Sequence, residues 1–179
     1  MTDNLSPDLL KYQVWTLLHY AYDLIIKIEE DTYRMKAGVS YQQFLILMVV
    51  ATSPNTVTVV ELARMLQRQP NSISTIVDRM VKQSLVKREP CKTDRRLVYV
   101  KLTPAGKNIV TRATVEGNEL VKRVMNDYSE KELRMMVKLL DKLNSLAARE
   151  AGLDSNPAEK GMEIVKNASR VFKDIVAVS

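Results

Sequence analysis

Apolar residues recur at Leu10, Val14, Leu17, Leu18, Ala21, Leu24, Ile25 and Ile28. The period is close to 3.6 residues and predicts a long amphipathic helix. Ser6-Pro7 supplies an N-cap followed by a proline at the first helical position, and Gly38 ends the segment. Trp15, Tyr22 and Ile26 fall off the stripe, so this helix has a second apolar face, to be buried within the domain or between subunits. Ser40 and Gln43 have the spacing of a capping box, in which each side chain covers the other residue's free N–H. The apolar helix Phe44 to Ala51 follows, and Ser53-Pro54-Asn55 breaks it. Thr58 and Glu61 form a second box and open a short helix through Leu62, Ala63 and Leu66. A polar connection, Gln67 to Gln69, leads to Pro70 and a helix that buries Ile73, Ile76, Val77 and Met80.

The period then changes. Leu85 to Glu89 and Leu97 to Leu102 are short, alternating and rich in β-branched residues, which predicts a β-hairpin around the polar tip from Pro90 to Arg96. Thr103-Pro104 caps a long helix with apolar positions at Ile109, Ala113, Leu120, Val124 and Tyr128. Ser129 and Glu132 make a third capping box. The helix they open carries the stripe Leu133, Met136, Val137, Leu140, Leu143 and Ala147, and Gly152 stops it. Ser155 and Pro157 start a last amphipathic helix, to about residue 176, with Val165, Ala168, Phe172 and Ile175 on one face.

Composition narrows the class. The 179 residues include one Cys and one His, which leaves no intrachain disulfide and no multi-cysteine or His-rich metal site, and fits a reducing compartment. The longest apolar run is eight residues, too short for a membrane span, and the N-terminus lacks a secretory pattern, so the expected location is the cytoplasm. Charge is the more telling quantity. Residues 58–107 hold eleven cations against four anions, a net +7, which leaves −1 for the rest of a chain whose net charge is +6. All the excess lies in one stretch, the footprint of an anionic partner.

That stretch reads helix, turn, helix, hairpin, the order of a DNA-reading winged helix-turn-helix. Opposite its apolar underside, the second helix carries Asn71, Ser72, Ser74, Thr75, Asp78, Arg79 and Lys82. Short hydroxyl and amide side chains allow close approach to bases and phosphates. Lys92, Asp94, Arg95 and Arg96 sit at the hairpin tip, where arginines can reach a narrow minor groove.

These residues resemble the MarR family of winged-helix regulators. The resemblance is carried by Gln43-Phe44, by Thr58 to Ala63, by Ile73 to Arg79 and by Leu85 to Arg88. Asp94-Arg-Arg96 and Val100 to Gly106 complete it. It implies a mainly α fold: a winged helix-turn-helix with a two-stranded β-wing, long dimerisation helices at both ends, and here an extra C-terminal helix. The corresponding segments are 1–38 for the N-terminal dimerisation helix, 39–107 for the DNA-binding domain, 108–151 for the C-terminal dimerisation helices and 152–179 for the addition. It also implies a homodimer on double-stranded DNA with a pseudo-palindromic operator, and repression relieved by a small acidic or aromatic effector. Recognition-helix contacts map to Asn71, Ser72, Ser74, Thr75 and Arg79. The wing arginine maps to Arg96, with Arg95 beside it and Asp94 orienting it. No cofactor is implied.

Three features depart from the family pattern. Ser84 stands where a glycine is usual, Cys91 lies within the wing, and the chain continues past the usual end. Cys91 reads as a plain surface thiol more readily than as a redox centre, although Lys92, Arg95 and Arg96 could lower its pKa. His19 reads as a partly buried dimer-face residue. Tyr12, Trp15, Tyr20 and Tyr22 read as core packing before an aromatic pocket, and Met125, Met135 and Met136 as adaptable packing. The rival function is a winged-helix module that binds protein. No paired carboxylates, nucleophile–His pair or phosphate loop suggests an enzyme.

Overall fold

A computed structural model describes residues 6–91 and 97–153. The chain runs α1 (Pro7–Ala37), α2 (Tyr41–Thr52), β1 (Val57–Thr58), α3 (Val59–Met65), α4 (Pro70–Lys82), β2 (Val86–Pro90), β3 (Val98–Leu102), α5 (Pro104–Met125) and α6 (Glu130–Glu150). The last predicted helix, from Pro157, lies outside the described residues.

Local chemistry sets the element ends. Ser6 caps α1 by accepting the Leu9 N–H, and all three capping boxes form, at Ser40–Gln43, Thr58–Glu61 and Ser129–Glu132. Gly38 takes the left-handed conformation at φ 73°, which lets Val39 return its N–H to the Tyr33 carbonyl and terminate α1.

The expected two-stranded wing forms from β2 and β3, and a strand the sequence did not announce joins it: β1 pairs with β3, which gives an antiparallel sheet in the order β1-β3-β2. Val57 pairs with Val100 and Thr58 with Tyr99, while β2 runs from Val86 opposite Leu102 to Pro90 opposite Val98. A two-residue strand is too short to show a period of its own. Thr58 both ends β1 and caps α3.

The core lies where α2 meets the helix-turn-helix and the wing base. Ile46, Leu47 and Val49 of α2, Leu62 of α3, Ile73, Val77 and Met80 of α4, Val86 of β2 and Val100 of β3 are all but inaccessible to solvent. Burying one such side chain stabilises the fold by roughly 1.5–3 kcal/mol. The other expected core position of α4, Ile76, is half-buried.

The C-terminal end of α1 joins this body to α5. Tyr33 stacks on Phe44 with ring centroids 4.2 Å apart, Arg112 donates to the Ala37 carbonyl at 2.9 Å, and Glu30 accepts the Tyr41 N–H at 2.7 Å. Burial raises the Tyr33 and Tyr41 hydroxyl pKa values, the latter to about 12. The rest of α1 corrects the sequence reading. Tyr12, Trp15, Tyr20 and Tyr22 are not packed into a core but stand 58–71% exposed, along with Leu17 and Leu24. His19 is also exposed, with Nδ1 2.8 Å from the Trp15 carbonyl oxygen. Period shows which residues share a helix face, not what covers that face. Helix α6 has only sparse contact with other elements, and Val137, Leu139, Leu140 and Leu146 on it are exposed.

Candidate nucleic-acid interface

Helices α3 and α4 are joined by a turn that needs one unusual backbone conformation. Gln67 is left-handed at φ 52°, and the Arg68 N–H then reaches the Ala63 carbonyl at 2.9 Å. Pro70 starts α4, and Gln69 before it makes no side-chain cap. The first N–H groups of α4, at Asn71 and Ser72, therefore lack a capping side chain on the exposed side of the lobe.

The two faces of α4 separate as its period requires. Ile73, Val77 and Met80 are sealed below, while Asn71, Ser72, Thr75, Arg79 and Lys82 are exposed. Ser74 is half-buried, because the wing reaches back to it. Arg88 of β2 donates from one guanidinium nitrogen to Ser74 Oγ at 3.1 Å and to Asp78 Oδ1 at 2.9 Å. One turn of backbone also engages Thr75, whose hydroxyl donates to the Asn71 carbonyl at 3.0 Å. At the far end of α4, Gln83 Oε1 accepts from the Gln43 side chain at 2.6 Å, tying the helix to the start of α2.

Sequence reading did not find the Arg88 bridge. The signal was present in the alternation of β2, which puts Lys87 and Glu89 on one face of the wing and Arg88 on the other. Lys87 stands opposite Lys101, a like-charge pair relieved by Glu89, which bridges both. The hydrogen bond from Lys101 holds the Glu89 carboxyl below the usual range.

Cys91 is buried, which overturns the reading of a plain surface thiol. Its N–H bonds the Leu97 carbonyl at 2.9 Å and so continues the hairpin ladder past Pro90. The Tyr99 hydroxyl donates to its Sγ at 3.3 Å, a bond that raises the Tyr99 pKa. Lys92, Asp94, Arg95 and Arg96, the predicted wing contacts, lie outside the described residues.

The root of the wing is built on close approach. Ser84 adopts φ 57°, the left-handed conformation usually left to glycine. Its carbonyl accepts from the Thr103 hydroxyl at 2.5 Å, and Thr103 Oγ1 in turn accepts the Gly106 N–H at 3.0 Å. A Cβ on Gly106 would lie 1.9 Å from the Leu85 carbonyl oxygen, so only glycine lets α5 start this close to the wing.

Among the described residues no group of three or more His, Cys, Asp or Glu is placed to hold a metal ion, and no helix is long and apolar enough to cross a membrane.

Comparison with known proteins places this geometry. Residues 37–97, from the end of α1 through the wing tip, match the model of the MarR family. The HTH-type transcriptional regulator YpoP of Bacillus subtilis is 26% identical over 136 residues, 75% of this chain and 94% of YpoP. The crystal structure of the transcriptional regulator BldR from Sulfolobus solfataricus is 27% identical, with TM-score 0.65 over 81% of this chain and 99% of BldR. A MarR mutant of Escherichia coli complexed with operator DNA is similar in fold, with 22% identity and TM-score 0.67 over 78% of this chain and 99% of that one.

Proposed function

We propose, from the match of residues 37–97 to the MarR family model, that the chain is a MarR-type homodimeric repressor of transcription that binds a pseudo-palindromic operator. The observation that carries this reading is α4, apolar and sealed beneath, polar and basic above, set beside a wing in the stretch that holds the whole charge excess. Phosphate contacts position the lobe, and Asn71, Ser72, Ser74, Thr75, Arg79 and Lys82 read the major groove. Lys92, Asp94, Arg95 and Arg96, outside the described residues, are assigned the minor-groove contacts on their sequence position alone. The relatives support the reading by their names, YpoP as a helix-turn-helix regulator and MarR by its complex with operator DNA.

The dimer rests on a second observation. Two helices, α1 and α6, present apolar stripes that no other element among the described residues covers. An amphipathic helix of this kind is stable when a partner buries it. A second copy brings both stripes together and sets two copies of α4 about one helical turn of DNA apart. A small acidic or aromatic effector is part of this reading, bound between the dimer helices and the DNA-binding lobe. Binding there acts by preferring the dimer geometry that does not fit DNA.

The test is fluorescence anisotropy with the DNA upstream of the chain's own gene and a shuffled control, across a salt series. Selective binding that falls steeply with salt is expected, and the slope counts phosphate contacts. Equal, weak binding to every promoter tried would leave only a basic patch and favour the protein-binding module.

A further inference from the structure

Two neighbouring hydroxyls on α4 are held in opposite senses. A guanidinium has only donors, so the bond from Arg88 to Ser74 Oγ fills a lone pair of that oxygen. The positive charge also repels the hydroxyl hydrogen, which leaves that hydrogen available as a donor on the side away from Arg88. Asp78, one turn along α4, fixes the same guanidinium nitrogen and keeps it in place. Thr75 is the reverse case. Its hydrogen is committed to the Asn71 carbonyl, and its lone pairs face outward on an exposed residue.

We propose that Arg88 is a positioning residue that fixes the hydrogen-bonding polarity of α4, so that Ser74 presents a donor and Thr75 an acceptor to the bases. The proposal rests on the DNA-binding reading and adds a statement about the operator. In the major groove, guanine, adenine and thymine each offer an acceptor, whereas cytosine offers only the N4 amino donor. Amino donors are found on adenine and cytosine alone. The remaining lone pair of Ser74 Oγ lies beside the guanidinium, which disfavours a second donor there, so each half-site should deplete cytosine at the base opposite Ser74 and enrich adenine or cytosine opposite Thr75. A hydroxyl free to rotate would impose neither rule.

The experiment is selection of a randomised double-stranded DNA library by the full-length protein, repeated with three variants. Wild type should enrich a motif with one cytosine-depleted position and one adenine-or-cytosine position per half-site. Ser74→Ala should admit cytosine at the first position and lower affinity for the best site by about two- to tenfold, the range of one hydrogen bond. Arg88→Met should admit cytosine at that same position while Ser74 is intact, because the released hydroxyl can accept as well as donate. Thr75→Val should relax the second position only. A uniform loss of affinity in Arg88→Met, with the motif unchanged, would overturn the proposal by making Arg88 a phosphate contact or a brace. Should Arg88→Met fail to fold, the Ser74→Ala and Thr75→Val variants decide: an unaltered motif in both overturns it. If wild type enriches no motif at all, the DNA-binding reading itself fails, a result distinct from the others.

Discussion

The Tyr33 hydroxyl occupies the space that a side chain on Gly117 would need. A Cβ at Gly117 would lie 2.6 Å from Tyr33 Oη and 3.3 Å from two ring carbons. Alanine at position 117 gains about 1 kcal/mol of helix propensity. It loses more by overpacking against a buried ring, so Gly117→Ala should destabilise the protein by about 1–2 kcal/mol net. Removing the colliding oxygen should relieve it. In urea denaturation the double variant Tyr33→Phe/Gly117→Ala should be more stable than the sum of the single changes. Strict additivity would mean that α1 and α5 do not meet there.

Ser84 is the position where a glycine should improve the protein. A left-handed conformation costs a side-chain-bearing residue about 1–2 kcal/mol, and glycine returns part of that gain through the entropy of the unfolded chain. Ser84→Gly should raise Tm by about 1–3 °C, whereas β-branched Ser84→Val should lower it. A fall in Tm with glycine would contradict the φ of 57°.

Stability should fall in acid through the capping boxes. Hydrogen bonds from Thr58 hold the Glu61 carboxyl below its ordinary 4.5, and hydrogen bonds from Ser129 do the same for Glu132. The unfolded chain takes up each proton at a higher pH than the folded one. The contribution is therefore complete above the ordinary carboxylate range and drains as pH falls through the lower folded value. Glu61→Gln should flatten the acid limb of a stability–pH curve, and Thr58→Ala should cost about 1 kcal/mol at neutral pH. An unchanged acid limb in Glu61→Gln would show that the box is not formed in solution.

The dimer is open to a direct challenge at Leu17, exposed on α1. Leu17→Glu should give a monomer in sedimentation with its helical content kept, because the substituted side chain takes no part in the core. DNA affinity should drop with it, by more than tenfold, as two half-sites are no longer bound together. A wild-type chain that sediments as a monomer at micromolar concentration would remove the dimer from the proposal.

What the sequence disclosed follows the range of each interaction. Ser6, Ser40, Thr58 and Ser129 were legible as caps because the partner group lies three residues away. The wing strands were legible because alternation is local. Strand β1 was not, since its pairing with β3 spans some forty residues and involves only two of its own. The Arg88 bridge to Ser74 and Asp78 needs the angle between a strand and a helix, which no spacing encodes. The burial of Cys91 depends on how far the hairpin ladder runs. The aromatic face of α1 shows the converse: the helical period was legible, but the period does not say what covers a face, and Tyr12, Trp15, Tyr20 and Tyr22 stand exposed rather than packed in the core.

The collision that forbids a side chain at Gly106 also sets how motion can travel. Helix α5 has 22 residues and is about 33 Å long. Its first turn is pinned to the wing root by Gly106 against Leu85 and by Thr103 against Ser84, and farther along it rides on α1 through Gly117 and Tyr33. There is no slack joint at either place. A tilt of the α1–α5 pair is delivered to the hairpin as a lever delivers it, undiminished by an intermediate hinge. In the proposed dimer, the separation of the two wings on DNA is thereby geared to the angle at which the two copies' helices cross.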